Sequence, residues 1–239
     1  RRPVRPRQFE TGQQSDQSRS KGEKGRHLSL DLFWLEEKMV VESDGLLDES
    51  SLAAAPLPQE AVRVRLDKPR MDDLADMVFL ANNKKVAANL STMPHPFALD
   101  DARALVAKAA INQPRSASFA IRLKLTGRLI GIARYANVEP GGPVHVGYWL
   151  GEPFWGQGLA TEAVHALVDH AFTYHDIGEL QGSCRVTNPA SRRVLVKSGF
   201  QYRDQAMIRS LGAGGSVPIE RYTLERAVWK SLKRWGQGR

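Results

Sequence analysis

A glycine-punctuated connection between a strand-like run and a helix-like run restricts this chain more than any other feature. Residues 144–150 form an apolar, β-prone run. Leu159, Ala163, Ala166, Leu167 and His170 fall on one helical face, and LGEPFWGQGLAT (150–161) joins the two with glycines at 151, 156 and 158. Such a loop leaves several backbone N–H groups unpaired beside the positive end of a helix dipole, which suits a phosphate group. A plain glycine-rich connector has the same composition. The dinucleotide fingerprint does not fit, because Thr161 stands at its third glycine and the preceding elements are antiparallel strands rather than a βαβ unit. The P-loop fails for want of Gly-Lys-Ser/Thr.

The remaining elements follow from period and punctuation. Residues 61–66 alternate with period 2 and stop before Pro69; residues 71–82 and 100–110 have helical spacing, with acidic residues in their early turns. Strands are expected at 118–125 and 129–136 around Thr126-Gly127, at 144–150 after Pro-Gly-Gly-Pro, and at 179–186, 200–207 and 217–224. Asn188 followed by Pro189 opens a helix that stops at Gly199. The predicted order is β-α-α-β-β-β-α-β-α-β-β. This is an α+β fold, a mixed and largely antiparallel sheet of about seven strands flanked by about four helices.

Composition bounds the function classes. Of the formal charge of +8, residues 1–38 carry +3, residues 39–60 carry −5 and residues 61–239 carry +10. A surplus of that size attracts nucleic acid, acidic proteins and phosphorylated ligands alike, but the Lys and Arg are spread through every segment rather than interleaved with aromatics along one element. Residues 1–60 read as a disordered basic tail followed by a linker, and 61–239 as the folded domain. A short helix is expected at 28–35. The longest run without Asp, Glu, Lys or Arg is 86–99, too short for a membrane helix. Cys184 is the single cysteine, which excludes an internal disulfide and fits a cytoplasmic location.

The segments GYWLGEPFWGQGLATEA (147–163), NPAS (188–191) and SGF (198–200) closely resemble the acetyl-CoA-binding motifs of the GNAT N-acetyltransferase superfamily, and within it the Rim-type ribosomal-protein alanine/serine N-acetyltransferases. The similarity runs from about residue 61 to 229 and includes the Pro94-His-Pro-Phe97 loop. The resemblance implies acetyl-CoA as acetyl donor, an amine as acceptor and no metal. Tyr148, Trp149 and Leu150 would pair with the pantetheine arm in a gap between two splayed strands. Trp155, Gly156, Gln157, Gly158, Leu159, Ala160 and Thr161 would hold the pyrophosphate, with Asn188 and Ser191 completing the cofactor site. The superfamily usually places Gln or Arg where this chain has Trp155.

Acetyl transfer to an amine needs a neutral nucleophile, an oxyanion donor and a proton for the thiolate. Neutralising a lysine near pH 7 costs ~4.6 kcal/mol against ~1.0–1.4 kcal/mol for an α-amine, so a site with no dedicated strong base suits α-amines better; the acceptor is a protein N-terminus or a small-molecule amine. The resemblance puts Ser191 at the position of the acid; hydrogen bonding at a helix start explains a serine there equally well. Glu152, Tyr148, His145 and His95 are candidates for the base. Glu162 is explained by the helix dipole, and Cys184 by burial on a strand. Trp34, Trp149, Trp155 and Trp229 sit in apolar patterns; Trp235 lies in a basic tail. Loops 93–97 and 211–217 are expected to select the acceptor. A catalytically silent GNAT-fold module that binds acyl-CoA or a protein is the alternative; a basic nucleic-acid binder is a third reading, and no membrane association is expected.

Overall fold

The computed structural model describes residues 59–236, apart from 112, 139 and 140. The expected tail, the helix at 28–35 and the linker lie outside the described residues. Among the described residues eight strands form one sheet in the order β1-β2-β3-β4-β5-β6-β8-β7. They are β1 (Gln59–Glu60), β2 (Val64–Asp67), β3 (Ala117–Leu123), β4 (Leu129–Asn137), β5 (Val144–Leu150), β6 (Glu179–Arg185), β7 (Gln201–Ser210) and β8 (Gly215–Glu225). Seven match the expected strands to within a few residues; β1 adds a two-residue edge.

Helices α1 (Leu74–Ala81), α3 (Leu99–Ala110), α4 (Leu159–Tyr174) and α5 (Pro189–Lys197) are the four expected ones, and α2 (Lys84–Ala87) and α6 (Arg226–Gly236) are additional. The basic stretch around Trp235 is therefore helical. α4 packs across β2, β4 and β5, while α1 and α3 cover β4 and β3 from the other side. Eight consecutive residues of β4 are buried, as a central strand covered on both faces must be. Val144, Val146 and Leu150 join the core under α4; Trp149 packs with Met77, Leu80 and Ile132 on the α1 side.

A buried ionic knot fastens α1 to the sheet. The Arg122 guanidinium donates to Asp67 Oδ1 at 2.6 Å and to both oxygens of Asp73 at 2.6 and 2.7 Å. Its side chain is 5% exposed, so its charge is desolvated and depends on these carboxylates; Asp67 also pairs with Arg70 at 3.3 Å, and Asp73 accepts from the Arg70 amide at 2.7 Å.

One break in the ladder creates the functional geometry. β5 and β6 run parallel and pair only at Val144 with Leu180, His145 with Gln181 and Val146 with Gly182. Beyond that point β5 stays paired with β4, and β6 with β8, but not with each other. Strands that keep different partners while losing their own pairing open a wedge. Gly182, at the last paired position, lets Leu195 of α5 pack at the fork, since a Cβ there would lie 2.7 Å from Leu195 Cδ2.

Candidate active site

The wedge opens into a cleft of ≈ 390 Å³. One wall is residues 146–150 of β5, another is Ser183 and Cys184 of β6, the floor is the loop and first turn of α4, and α5 closes the side. Of the residues expected at the cofactor, Tyr148, Trp149, Leu150, Trp155, Gly156, Gly158, Leu159, Ala160, Thr161, Asn188 and Ser191 line it. Gln157 does not: its side-chain amide turns back to donate to the Pro153 carbonyl at 3.0 Å.

The loop is built to present amides. Gly156 and Gly158 have φ of +75° and +79°, the left-handed region that glycine reaches without a Cβ clash, and Gly158 caps α4. The Trp155 indole donates to the Leu150 carbonyl at 2.7 Å, tying the loop to the end of β5. The first helical bond of α4 runs from the Glu162 amide to the Gly158 carbonyl at 3.2 Å, so the N–H groups of residues 156–161 find no partner among the described residues. Arg193 and Lys197 of α5 are exposed on the cleft wall with no ion-pair partner among the described residues, and sequence reasoning missed both.

At the fork, the Tyr148 phenol and the Ser191 hydroxyl are 2.9 Å apart, and the phenol also lies 3.3 Å from the Ser191 carbonyl. Burial, offset in part by the Ser191 bond, pushes the phenol well above its ordinary pKa. Tyr148 is thus a proton donor at neutral pH and unsuited to the base role. The Asn188 side chain accepts from the Ser191 amide at 3.1 Å and caps α5, leaving the Ser191 hydroxyl for other work. Arg192 holds the same helix to β8 through a fork onto Glu220 at 2.8 and 2.6 Å.

The other candidates fall differently. Glu152 accepts from Asn83 Nδ2 at 2.8 Å and pairs with Lys85; the ammonium, then the amide, hold its carboxyl below the usual carboxylate range, which makes it a poor proton acceptor. Burial, then Arg221, push His145 down to about 4, and His145 lies outside the cleft lining. His95 also lies outside it. Glu162 does more than oppose the dipole: it accepts from the Arg63 backbone at 2.8 Å and from Arg63 Nε at 2.6 Å. Burial pushes the Cys184 thiol up to about 11, so the cleft-lining sulfur is not a thiolate.

The acceptor loops divide. Met93 and Phe97 are core residues of the α1–α3 cluster, so that loop packs instead of facing the cleft. Leu211 donates its amide to the Ser91 carbonyl at 2.7 Å, drawing the β7–β8 turn against the segment after α2, where Asn89, Leu90 and Ser91 border the cleft.

Residues 63–201 match the acetyltransferase (GNAT) domain family, more than half of the chain. This chain belongs to the GNAT acetyltransferase family. A ribosomal-protein-serine acetyltransferase of Escherichia coli is 40% identical over 76 residues, 30% of this chain and 41% of that protein. The uncharacterized N-acetyltransferase p20 of Bacillus licheniformis is 32% identical over 84 residues, 35% of this chain and 47% of that protein. The chain thus spans under half the length of these relatives. Mycobacterium smegmatis RimJ, solved with a CoA disulfide, superposes with a TM-score of 0.65 at 21% identity, covering 76% of this chain and 95% of that one, and shares the GNAT fold. Among the described residues no helix is long and apolar enough to cross a membrane.

Proposed function

We propose that this chain is an N-acetyltransferase that moves an acetyl group from acetyl-CoA directly onto the α-amine of a protein N-terminus, working in a reducing, cytoplasmic setting. The observation that carries the proposal is the row of unpartnered amides at 156–161 set against the unpaired edge of β5. Those amides and the positive end of α4 suit a pyrophosphate; Arg193 and Lys197 add the charge a further phosphate needs. The free edge of β5 offers peptide groups to an extended arm, and the buried Trp149 Nε1 has no hydrogen-bond partner among the described residues. The family match from residue 63 supports a catalytic unit beginning near residue 61.

When bound, acetyl-CoA supplies an activated thioester and a thiolate leaving group. Ser191, backed by the Tyr148 phenol, holds a proton at its Oγ for an anion at the fork. Cys184, protonated and buried, does not carry the acyl group. Glu152 is tied to Lys85 and the described residues of the site offer no strong base, which matches an acceptor of pKa about 7.7–8.0 and disfavours lysine at about 10.4. The name of the ribosomal-protein relative supports the same acceptor class. Thiol release from acetyl-CoA, followed across N-terminal peptides, lysine side chains and polyamines, tests the reading. Peptide α-amines should turn over fastest; acetyl-CoA binding without transfer to any amine would favour a silent module.

A further inference from the structure

Three side-chain donors bond to backbone carbonyls around the loop before α4. Two are local, Trp155 to Leu150 and Gln157 to Pro153, and the third comes from the far end of the domain. Arg63, just before β2, donates from Nη2 to the Gln157 carbonyl at 2.8 Å and grips Glu162 through Nε and its own backbone amide. Its guanidinium lies on the outer side of the loop, where a Cβ on Gly158 would sit 3.3 Å from Nη2, and it is absent from the cleft lining.

We propose that Arg63 is a positioning residue for the phosphate loop, turning the Gly158 amide into the cleft and thereby setting the affinity for acetyl-CoA. In a planar trans peptide the carbonyl of one residue and the N–H of the next point in opposite directions. A donor that draws the Gln157 carbonyl outward therefore aims the Gly158 N–H inward. The restraint matters here because Gln157 stands between two left-handed glycines, the most permissive backbone in the loop. Glu162, one turn into α4, fixes the guanidinium, so strand, helix and loop are held as one unit.

The inference rests on the cleft being the acetyl-CoA site, and the test separates the two. Acetyl-CoA binding by calorimetry and steady-state turnover are measured for the full chain with Arg63→Ala and Arg63→Lys, using acetyl-CoA and S-acetylpantetheine, which lacks the pyrophosphate. Lysine keeps the ion pair to Glu162 but cannot also reach the Gln157 carbonyl, so this variant should hold its melting temperature. Both variants should weaken acetyl-CoA binding about tenfold, the effect of losing one charge-assisted bond, with kcat at saturation little changed. Their kcat/KM for S-acetylpantetheine should match wild type. An unchanged dissociation constant, or an equal loss with both donors, overturns the role of Arg63 while leaving the acetyltransferase reading intact. A wild-type chain that binds no acetyl-CoA overturns both.

Discussion

Replacing Ser191 by Ala removes one hydroxyl at the fork, and the surrounding geometry fixes what that should cost. The Asn188 cap is made to the Ser191 backbone, so α5 keeps its start, and Arg192 keeps its fork to Glu220. What disappears from the ground state is one neutral hydrogen bond of 2.9 Å to Tyr148, about 0.5–1.5 kcal/mol, or a melting shift of a few degrees for a domain of this size. If the hydroxyl delivers the proton to the departing thiolate, kcat should fall roughly 10²-fold, or about 2.7 kcal/mol of barrier, well beyond the ground-state loss. Tyr148→Phe should cost a similar factor. Because the two hydroxyls form one relay, the double variant should be little worse than either single one, whereas independent contributions would multiply to roughly 10⁴. The assay is thiol release at saturating acetyl-CoA beside thermal unfolding of the same four proteins, with acetyl-CoA affinity expected to stay near wild type. Near-wild-type kcat in Ser191→Ala with a lowered melting temperature would refute the relay.

Gly158→Val places a β-branched side chain at φ +79° against Arg63 and should abolish measurable acetyl-CoA binding in a folded protein; calorimetry giving an unaltered affinity would move the phosphates elsewhere. Arg122→Ala leaves Asp73 with the Arg70 amide and Asp67 with the half-exposed Arg70 and Arg65, and should cost about 3 kcal/mol in urea unfolding, the lower end of what losing one partner of a buried ion pair costs; a change below about 1 kcal/mol would mean water replaces the guanidinium. His170 is 3% exposed, beside Tyr135 at 2.8 Å and near His175, Tyr174 and Phe119. Burial, with a smaller push from His175, lowers its pKa to about 4 from 6.5. Between those values the unfolded chain binds a proton that the folded chain does not, so stability should fall as pH drops from about 6.5 to 4, by up to about 3 kcal/mol. His170→Asn, which keeps a hydrogen-bonding group for the Tyr135 hydroxyl, should flatten that slope in urea midpoints taken across the window; an identical slope assigns the acid sensitivity to His145 or another group.

The parts of this protein that sequence determines are those whose cause is local. Alternation and turn residues locate seven strands, and Asn188-Pro189 and Gly199 bracket α5, because capping and turn conformation depend on neighbours a few residues away. The same holds for the glycines at 156 and 158, whose left-handed backbone is a property of the residue and its loop. α2 escaped because four residues show no period, and α6 because a basic helix after the last strand has a composition that also suits a tail. Tertiary structure alone decided the rest. The cleft exists because β5 keeps β4 while β6 keeps β8, a choice of partners made across dozens of residues. Tyr148 meets Ser191 at a separation of 43 residues, Arg63 meets Gln157 at 94, and Arg122 gathers two aspartates from a distant segment. A periodic pattern says which face of an element is apolar, but which charged groups meet, and therefore which carboxylate is an ion-pair partner rather than a base, follows only from how those faces pack.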